Sequence, residues 1–278
     1  MGGDGPYGVS DLSVSFGGRT VLNDVSLQVE PGGVVAVVGG DGAGKTTLLR
    51  VLAGAVRPGA GSVHRPPPRR IGYLPATPGV YPDLTALENL SFVGSAYGLG
   101  ARETRLRSDR LLEHMGLGEA RTRLAGNLSG GMRRKLGLAM ATLHEPALLI
   151  LDEPTTGVDP VSRSELWSWL TRSASRGTAV VFATTYLDEG ERASFVLVLD
   201  DGEPLVSGTP EEVVRRAPGT VLESPTRPPG EAVWRRRGGW RVWSPAGTSR
   251  PGETPALLDL EDAVVVAALA KRMSRPAA

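Results

Sequence analysis

The sequence predicts an α/β fold whose central strands are buried on both faces, and three observations carry that reading. Residues 34–38 form a continuous, mostly β-branched run, the pattern of a strand with no solvent face. It leads straight into Gly39-Gly40-Asp41-Gly42-Ala43-Gly44-Lys45-Thr46, which fits G-x-x-x-x-G-K-[ST], and residues 46–53 then read as a helix with Gly54 near its end. Two further apolar runs, 148–151 and 179–182, lie downstream with a helical stretch from about 162 to 174 between them.

The remaining elements follow in order. Residues 9–16 alternate polar and apolar side chains, Gly17-Gly18 interrupts, and 21–29 alternate again, so two half-buried strands open the chain. Arg65-Pro66-Pro67-Pro68-Arg69-Arg70 is expected at a hairpin tip, residues 71–74 form a short strand, and 75–82 are rich in breakers. Residues 84 to about 123 have helical composition with one break near 98–100, and 129–142 read as a helix whose first turn carries glycines. Residues 196–199 are another strand, and Asp201-Gly202 signals a hairpin. Near Pro218 the composition turns to Pro, Gly and Arg. The expected domain boundary lies there, giving 1–218 and a small β/α appendage at 219–278. Within the appendage, residues 233–243 mix tryptophans with arginines. A twisted hairpin turning at Gly238-Gly239, with arginines on its solvent face, is favoured over a surface for single-stranded nucleic acid.

Composition narrows the function classes. A formal net charge of +1 gives no global electrostatic pull towards nucleic acid or anionic lipid. With no cysteine, the chain has neither disulfides nor thiolate metal sites. Residues 1–10 lack the basic-then-apolar pattern of a secretory signal. The longest apolar runs, 34–38, 147–151 and 263–270, fall well short of the ~20 residues a membrane helix needs. Any role in transport therefore requires separate membrane subunits.

The glycine loop carries the first chemistry. Its glycines let the backbone turn N–H groups inward, and the helix that follows adds the partial positive charge of its N-terminus. Lys45 is placed to reach the β- and γ-phosphates of a nucleoside triphosphate, and the Thr46 hydroxyl to ligate Mg²⁺. Further on, Leu148-Leu149-Ile150-Leu151-Asp152-Glu153 is a buried strand ending in two acids, and Leu128-Ser129-Gly130-Gly131-Met132 opens a helix with a hydroxyl and free backbone donors.

These three stretches, in this order, resemble the ATP-binding cassette (ABC) ATPases over roughly residues 9–212. The resemblance implies a P-loop, RecA-like core with an N-terminal antiparallel β-subdomain and a helical subdomain inserted at about 84–142. It implies ATP and Mg²⁺ as ligands. The nucleotide would be held by Gly39, Gly40, Asp41, Gly42, Ala43, Gly44, Lys45, Thr46 and Thr47, with Phe16 stacked on adenine. Thr46 and Asp152 would hold the metal, and Glu153 would polarise the attacking water, with Lys45 assisting. Ser129, Gly130 and Gly131 would contact the γ-phosphate of ATP held by an opposite subunit, and Gly157-Val158-Asp159-Pro160 resembles the loop that crosses the dimer interface. Gly131-Met132-Arg133-Arg134-Lys135-Leu136 is similar to drug- and antibiotic-exporting ABC-2 systems, since importers usually carry Gln at the Met132 position. The implied partners are a membrane-spanning ABC-2 permease and a second nucleotide-binding subunit, without nucleic acid. The implied place is the cytoplasm, peripheral on the inner face of the membrane.

Three positions depart from the family pattern. Asp41 stands where Asn is usual, Ala76 where a Gln follows the strand 71–74, and Thr185 where a His follows the strand 179–182. An alanine cannot bind metal, and threonine cannot become a proton-sharing cation near pH 7. The missing histidine, together with Thr155-Thr156-Gly157-Val158-Asp159-Pro160-Val161-Ser162-Arg163, looks most like the degenerate first cassette of tandem-cassette exporter ATPases. The expected function is the energy-coupling ATPase of an ABC-2 type exporter, favoured as one half of a heterodimer. The alternatives are a nucleotide-gated regulatory cassette that hardly turns over, or a soluble ABC ATPase outside transport.

Overall fold

The computed structural model describes residues 5–230, 232–236 and 239–274. The chain opens with the strands β1 (Tyr7–Phe16) and β2 (Arg19–Val29), paired through a two-residue turn with both Gly17 and Gly18 at positive φ. That turn twists with the strands it joins, and glycine is the residue that accepts both angles. Next come β3 (Val34–Gly39), α1 (Lys45–Ala53), β4 (Ala60–His64) and β5 (Ile71–Leu74). The helices α2 (Ala86–Ala96), α3 (Ala101–His114) and α4 (Gly130–Thr142) follow. The chain then alternates through β6 (Leu148–Asp152), α5 (Pro160–Ser175), β7 (Ala179–Thr184), α6 (Leu187–Gly190) and β8 (Phe195–Asp200). After β9 (Glu203–Gly208) and α7 (Pro210–Arg215) it ends in β10 (Thr220–Ser224), β11 (Val233–Arg236), β12 (Gly239–Ser244), β13 (Thr254–Pro255) and α8 (Leu260–Ser274).

The central sheet runs β5-β6-β7-β3-β8-β9, parallel throughout except for β9, which turns back on β8. Its alternating side chains feed two cores. Val35, Val37, Leu148, Ile150, Val181 and Ala183 pack with α1 and the β1–β2 hairpin. Ala36, Val38, Leu149, Leu151, Val180 and Phe182 pack with the helical layer on the other face. Burial on both faces explains why these strands read as unbroken apolar runs. The Asp201-Gly202 hairpin forms as expected, with both residues at positive φ.

Local sequence sets the helix ends. Thr85 and Glu88 form a reciprocal capping box at α2, and Gly54, left-handed at φ 81°, closes α1. The break expected near 98–100 separates α2 from α3, but the helical reading to 123 overreaches. After His114 the chain passes through single turns of 3₁₀ helix at Gly118–Ala120 and Ala125–Asn127. Ser129 caps α4 from outside rather than lying in its first turn.

Residues 65–70 do not form a hairpin tip. β4 pairs with β1 in a separate three-stranded sheet, whereas β5 pairs with β6 in the central one. The proline run is a passage between sheets, ending in a 3₁₀ turn at Pro68–Arg70, and three successive prolines cannot donate to a ladder. At the other end of the chain, β11 and β12 pair antiparallel as the hairpin reading expects, in the sheet β11-β12-β10-β13. Gly238 of its expected turn lies outside the described residues. The arginines are not simply a solvent face: Arg236 binds Asp259 and Glu261, and Arg241 binds Glu223. Among the described residues no helix is long and apolar enough to cross a membrane.

Phe182 is fully buried in β7 and meets Trp167 of α5 edge to face, ring centroids 4.9 Å apart. Phe182→Ala is expected to cost about 3–5 kcal/mol in denaturant unfolding, because the packed sheet cannot collapse into the void. A second stability test concerns His144, whose ring stacks on Tyr97 at 3.7 Å. Its Nε2 and the Tyr97 hydroxyl both address the Ile71 carbonyl, at 3.1 and 3.2 Å. Burial, outweighing that carbonyl bond and aided by the Arg107 charge, depresses the imidazole pKa below its ordinary value of 6.5. The folded state therefore favours the neutral ring, so this stabilisation is full above pH 6.5 and is lost as pH falls through the lower folded value. Melting midpoints followed from pH 7.5 down to about 5 are expected to drop more steeply for the wild type than for His144→Gln.

Candidate nucleotide site

The site forms at the carboxyl ends of the central strands, where β3, β6 and β7 stop side by side. Register brings Val38 opposite Thr184 and Asp152 opposite Ala183. The glycine loop leaves β3 between close walls. A Cβ on Gly39 would lie 2.5 Å from the Leu199 carbonyl oxygen, and one on Gly44, at φ 98°, would lie 2.5 Å from Leu22 Cδ2. At Gly40 and Gly42 a Cβ would meet nothing within 4 Å, so the loop presents bare backbone on its open side. Asp41 is exposed there, Ala43 and Gly44 are buried, and Thr47 is half-buried in the first turn of α1.

Lys45, 7% exposed, folds over the loop and donates to the carbonyls of Gly39 and Gly40 at 2.7 and 3.0 Å. Its Nζ lies 4.0 Å from Glu153. The Thr46 hydroxyl donates to Asp152 at 2.8 Å, which joins the glycine loop to the acid strand across 106 residues of sequence. The hydroxyl and the carboxylate are hard oxygen donors side by side, the chemistry that suits Mg²⁺.

Glu153 stands at φ 52°, in the left-handed region that side-chain-bearing residues seldom adopt. Its N–H donates to the Ala183 carbonyl at 2.9 Å, and its carboxylate accepts from Thr156 at 3.0 Å. Burial raises its pKa against the lowering effects of the Thr156 bond and the Lys45 charge, and the neighbouring Asp152 and Glu189 carboxylates raise it further. Proton affinity is thus increased at the residue that points towards Lys45. Tyr73 on β5 is pushed up too, by burial and then by Asp152.

The other expected residues stand apart from this cluster. Phe16 ends β1 and is 52% exposed. Ser129 and Gly130 are exposed at the start of α4, where the Ser129 hydroxyl accepts from the Met132 N–H at 3.2 Å. Gly131 faces the Gly157 loop, with a Cβ there 3.4 Å from the Gly157 carbonyl oxygen. That loop ends at Asp159, which caps α5 by accepting from Val161 and Ser162. The Ser162 N–H does most to hold its carboxyl below the usual range. Ala76 and Thr185 are both exposed in the turns after β5 and β7.

Two residues of this region escape sequence reasoning. Arg134 is buried on α4 and donates to the carbonyls of Pro75 and Asp152 at 3.2 and 3.5 Å, linking α4 to the strand that ends in the acid pair. Its spacing with Leu138 and Ala141 marks the inner helix face, but within Arg133-Arg134-Lys135 it reads as a solvated charge. Glu189 is fully buried on α6 and accepts from the hydroxyls of Thr155 and Thr184, the latter at 2.8 Å. Acids opening a short helix read as surface residues, and only the fold brings Thr155 to it.

Residues 22–156 match the family described as ABC transporter. The chain is 41% identical over 211 residues to YbhF, a probable multidrug ABC transporter ATP-binding protein of Escherichia coli (strain K12). That match takes in 72% of this chain but only 36% of YbhF, so the chain spans about a third of that relative's length. It is 36% identical over 227 residues to the daunorubicin resistance ATP-binding protein DrrA3 of Streptomyces coeruleorubidus, covering 78% of this chain and 72% of that one. A solved ATP-binding subunit of an ABC transporter superposes with a TM-score of 0.71 at 31% identity, over 76% of this chain and 92% of that one. The chain belongs to the ABC transporter family, and what it supplies is that family's ATP-binding cassette.

Proposed function

We propose that this protein is the energy-coupling ATPase of an ABC-2 type exporter, with residues 1–218 as the nucleotide-binding domain and 219–278 as an appended module. The observation that carries the proposal is the convergence of Lys45, the Thr46–Asp152 hydrogen bond and Glu153 on one open glycine loop. The multidrug and daunorubicin-resistance names of its relatives favour export of a drug-like compound.

In this reading the loop N–H groups and the N-terminus of α1 hold the phosphates of ATP, and Lys45 exchanges its loop carbonyls for them. Thr46 and Asp152 would hold Mg²⁺, which when bound neutralises charge across the phosphates. Glu153 orients the attacking water and accepts its proton, a task suited to a carboxylate of raised proton affinity. Phe16, more than half exposed at its strand end, offers a ring face to adenine.

The exposed start of α4 offers Ser129, Gly130 and Gly131 to the γ-phosphate of a nucleotide on another subunit. A second cassette is therefore a partner, and the departures at Ala76 and Thr185 favour an unlike one. Residues 129–131 of this chain would complete the partner's site, while its own site holds ATP and turns over slowly. The permease, and with it the inner face of the membrane, meets the surface around Val80, Tyr81 and the start of α2. There Tyr81 and Phe92 form an exposed edge-to-face pair with centroids 4.8 Å apart. Buried Asn89 fixes that loop by bonding the Tyr81 N–H and the carbonyls of Tyr81, Leu84 and Thr85.

Titration calorimetry is expected to show Lys45→Ala losing ATP affinity roughly 10- to 100-fold, the worth of about 1.5–3 kcal/mol in a charge-assisted bond. In the assembled transporter, Ser129→Arg should stop turnover, whereas Glu153→Gln in this chain should cost little beside the ~10²-fold loss from removing the base in the partner. A homodimer of this chain that hydrolyses ATP briskly and is silenced by Glu153→Gln would overturn the asymmetric arrangement.

The docking surface is testable in the cysteine-free background. Single cysteines at Val80 or Tyr81 are expected to cross-link to a co-expressed membrane subunit, and cross-links found only from residues 219–278 would refute the placement.

A further inference from the structure

One buried carboxylate ties together the three turns that surround the acid pair. Glu189 has no exposed surface and nevertheless faces three donors from three different elements. Thr155, itself buried, donates from the turn that follows Glu153. Thr184 donates at 2.8 Å from the end of β7, and its oxygen also accepts the Tyr186 N–H at 3.0 Å, which sets the shape of the turn carrying Thr185. Arg163 brings its Nε to 3.8 Å from the first turn of α5, just past the Gly157–Asp159 loop, while its guanidinium lies 5.1 Å over the Tyr186 ring.

The need for such a tie is visible in the backbone. Glu153 occupies a left-handed conformation that its own side chain disfavours, and such a residue keeps that conformation only where its surroundings over-determine it. The fixing bonds run within the turn: Thr156 N–H to the Glu153 carbonyl at 3.3 Å and Val158 N–H to the Thr155 carbonyl at 3.1 Å. The Thr155 hydroxyl on Glu189 then anchors that turn to the neighbouring strand end. A carboxylate suits the place because it accepts from both hydroxyls while setting its charge beside Arg163.

We propose that Glu189 is a positioning residue for hydrolysis, holding the Glu153 turn, the Thr185 turn and the start of α5 in one fixed relation. The proposal rests on the reading of Glu153 as the group that orients the attacking water. Glu189 itself touches neither the water nor the phosphates. It acts through Thr155 and Thr184, in a chain where Thr185 replaces the histidine that the family pattern places there.

The test compares Glu189→Ala with Glu189→Gln in the purified chain, where the slow turnover of its own site is read without a faster partner site beside it. Glutamine keeps the length and one acceptor oxygen, so it preserves folding where alanine fails to. At the site whose turnover depends on Glu153, Glu189→Ala is expected to lower kcat ~10- to 100-fold, the scale set by misplacing a reacting group by about 1 Å. The KM for ATP should stay within about twofold, because the glycine loop is untouched. Glu189→Gln should restore the larger part of kcat. A nitroxide attached at Thr185→Cys gives a readout independent of hydrolysis. Its spectrum should show an ordered turn beside the native Glu189 and in the Glu189→Gln variant, and a mobile one after Glu189→Ala. Unchanged kcat and an unchanged spectrum in the alanine variant would overturn the proposal, as would an equal loss of ATP binding and turnover, which marks a merely structural role. If the wild type binds ATP and hydrolyses none, the reading of Glu153 fails, and the nitroxide spectrum still decides whether Glu189 orders the turn.

Discussion

The lateral register of β3, β7 and β6 is the constraint from which the site follows. These strands lie parallel and in step, with Val38 opposite Thr184 and Asp152 opposite Ala183, so the chain leaves all of them along one edge. A glycine loop, an acid pair and a threonine turn, far apart in sequence, are thereby delivered to the same few ångströms. The Thr46–Asp152 bond is the local expression of that register. A one-step slip of β6 would reverse its faces, sending Leu149 and Leu151 to the wrong core and carrying Asp152 away from Thr46.

Two cores lock the register. Each central strand supplies alternate residues to the β1–β2 hairpin side and to the helical side, and exchanging the two sets would misfit both cores. This is why the strands were legible from sequence: burial on both faces leaves a continuous apolar signature that needs no partner to be recognised. β4 was not legible, because Ala60-Gly61-Ser62-Val63-His64 lies largely exposed on the edge of the smaller sheet. Gly61 there sits at φ 86°, where a Cβ would come within 2.5 Å of the Asp11 carbonyl. Its strand character comes from β1 alone, and local propensity carries no trace of it.

The motif residues were legible for a related reason. A loop that wraps phosphate with backbone N–H groups must be rich in glycine at fixed positions, and acids at the end of a buried strand are too costly to occur without a use. The supporting residues have no such signature. Arg134 and Glu189 are ordinary charged residues on helices, and what sets them apart is burial. Each ion buried without partners costs several kcal/mol, so each is surrounded by acceptors or donors that only the three-dimensional arrangement supplies. Arg134 finds the Pro75 and Asp152 carbonyls, at the cost of a depressed pKa that burial imposes first and that Glu153 and Asp152 partly offset.

The C-terminal region reaches the nucleotide site indirectly, by packing. Leu260, at the start of α8, lies against Gly190 of α6, where a Cβ would come within 3.1 Å of its Cδ2. At the other end of the helix, Lys271 bonds the Asp200 carbonyl and pairs with the carboxylates of Asp200 and Glu203, on either side of the β8–β9 turn. α8 is thus held at one end by α6 and at the other by a turn of the central sheet. In between, its Asp262 is fully buried and accepts from the Trp234 indole, which joins the terminal sheet to the helix. The residue beside Gly190 is Glu189, so the helix that closes the chain packs directly behind the carboxylate that spans the three turns of the nucleotide site. The contact is close because Gly190 brings no side chain of its own, so Leu260 packs onto the backbone of α6 itself.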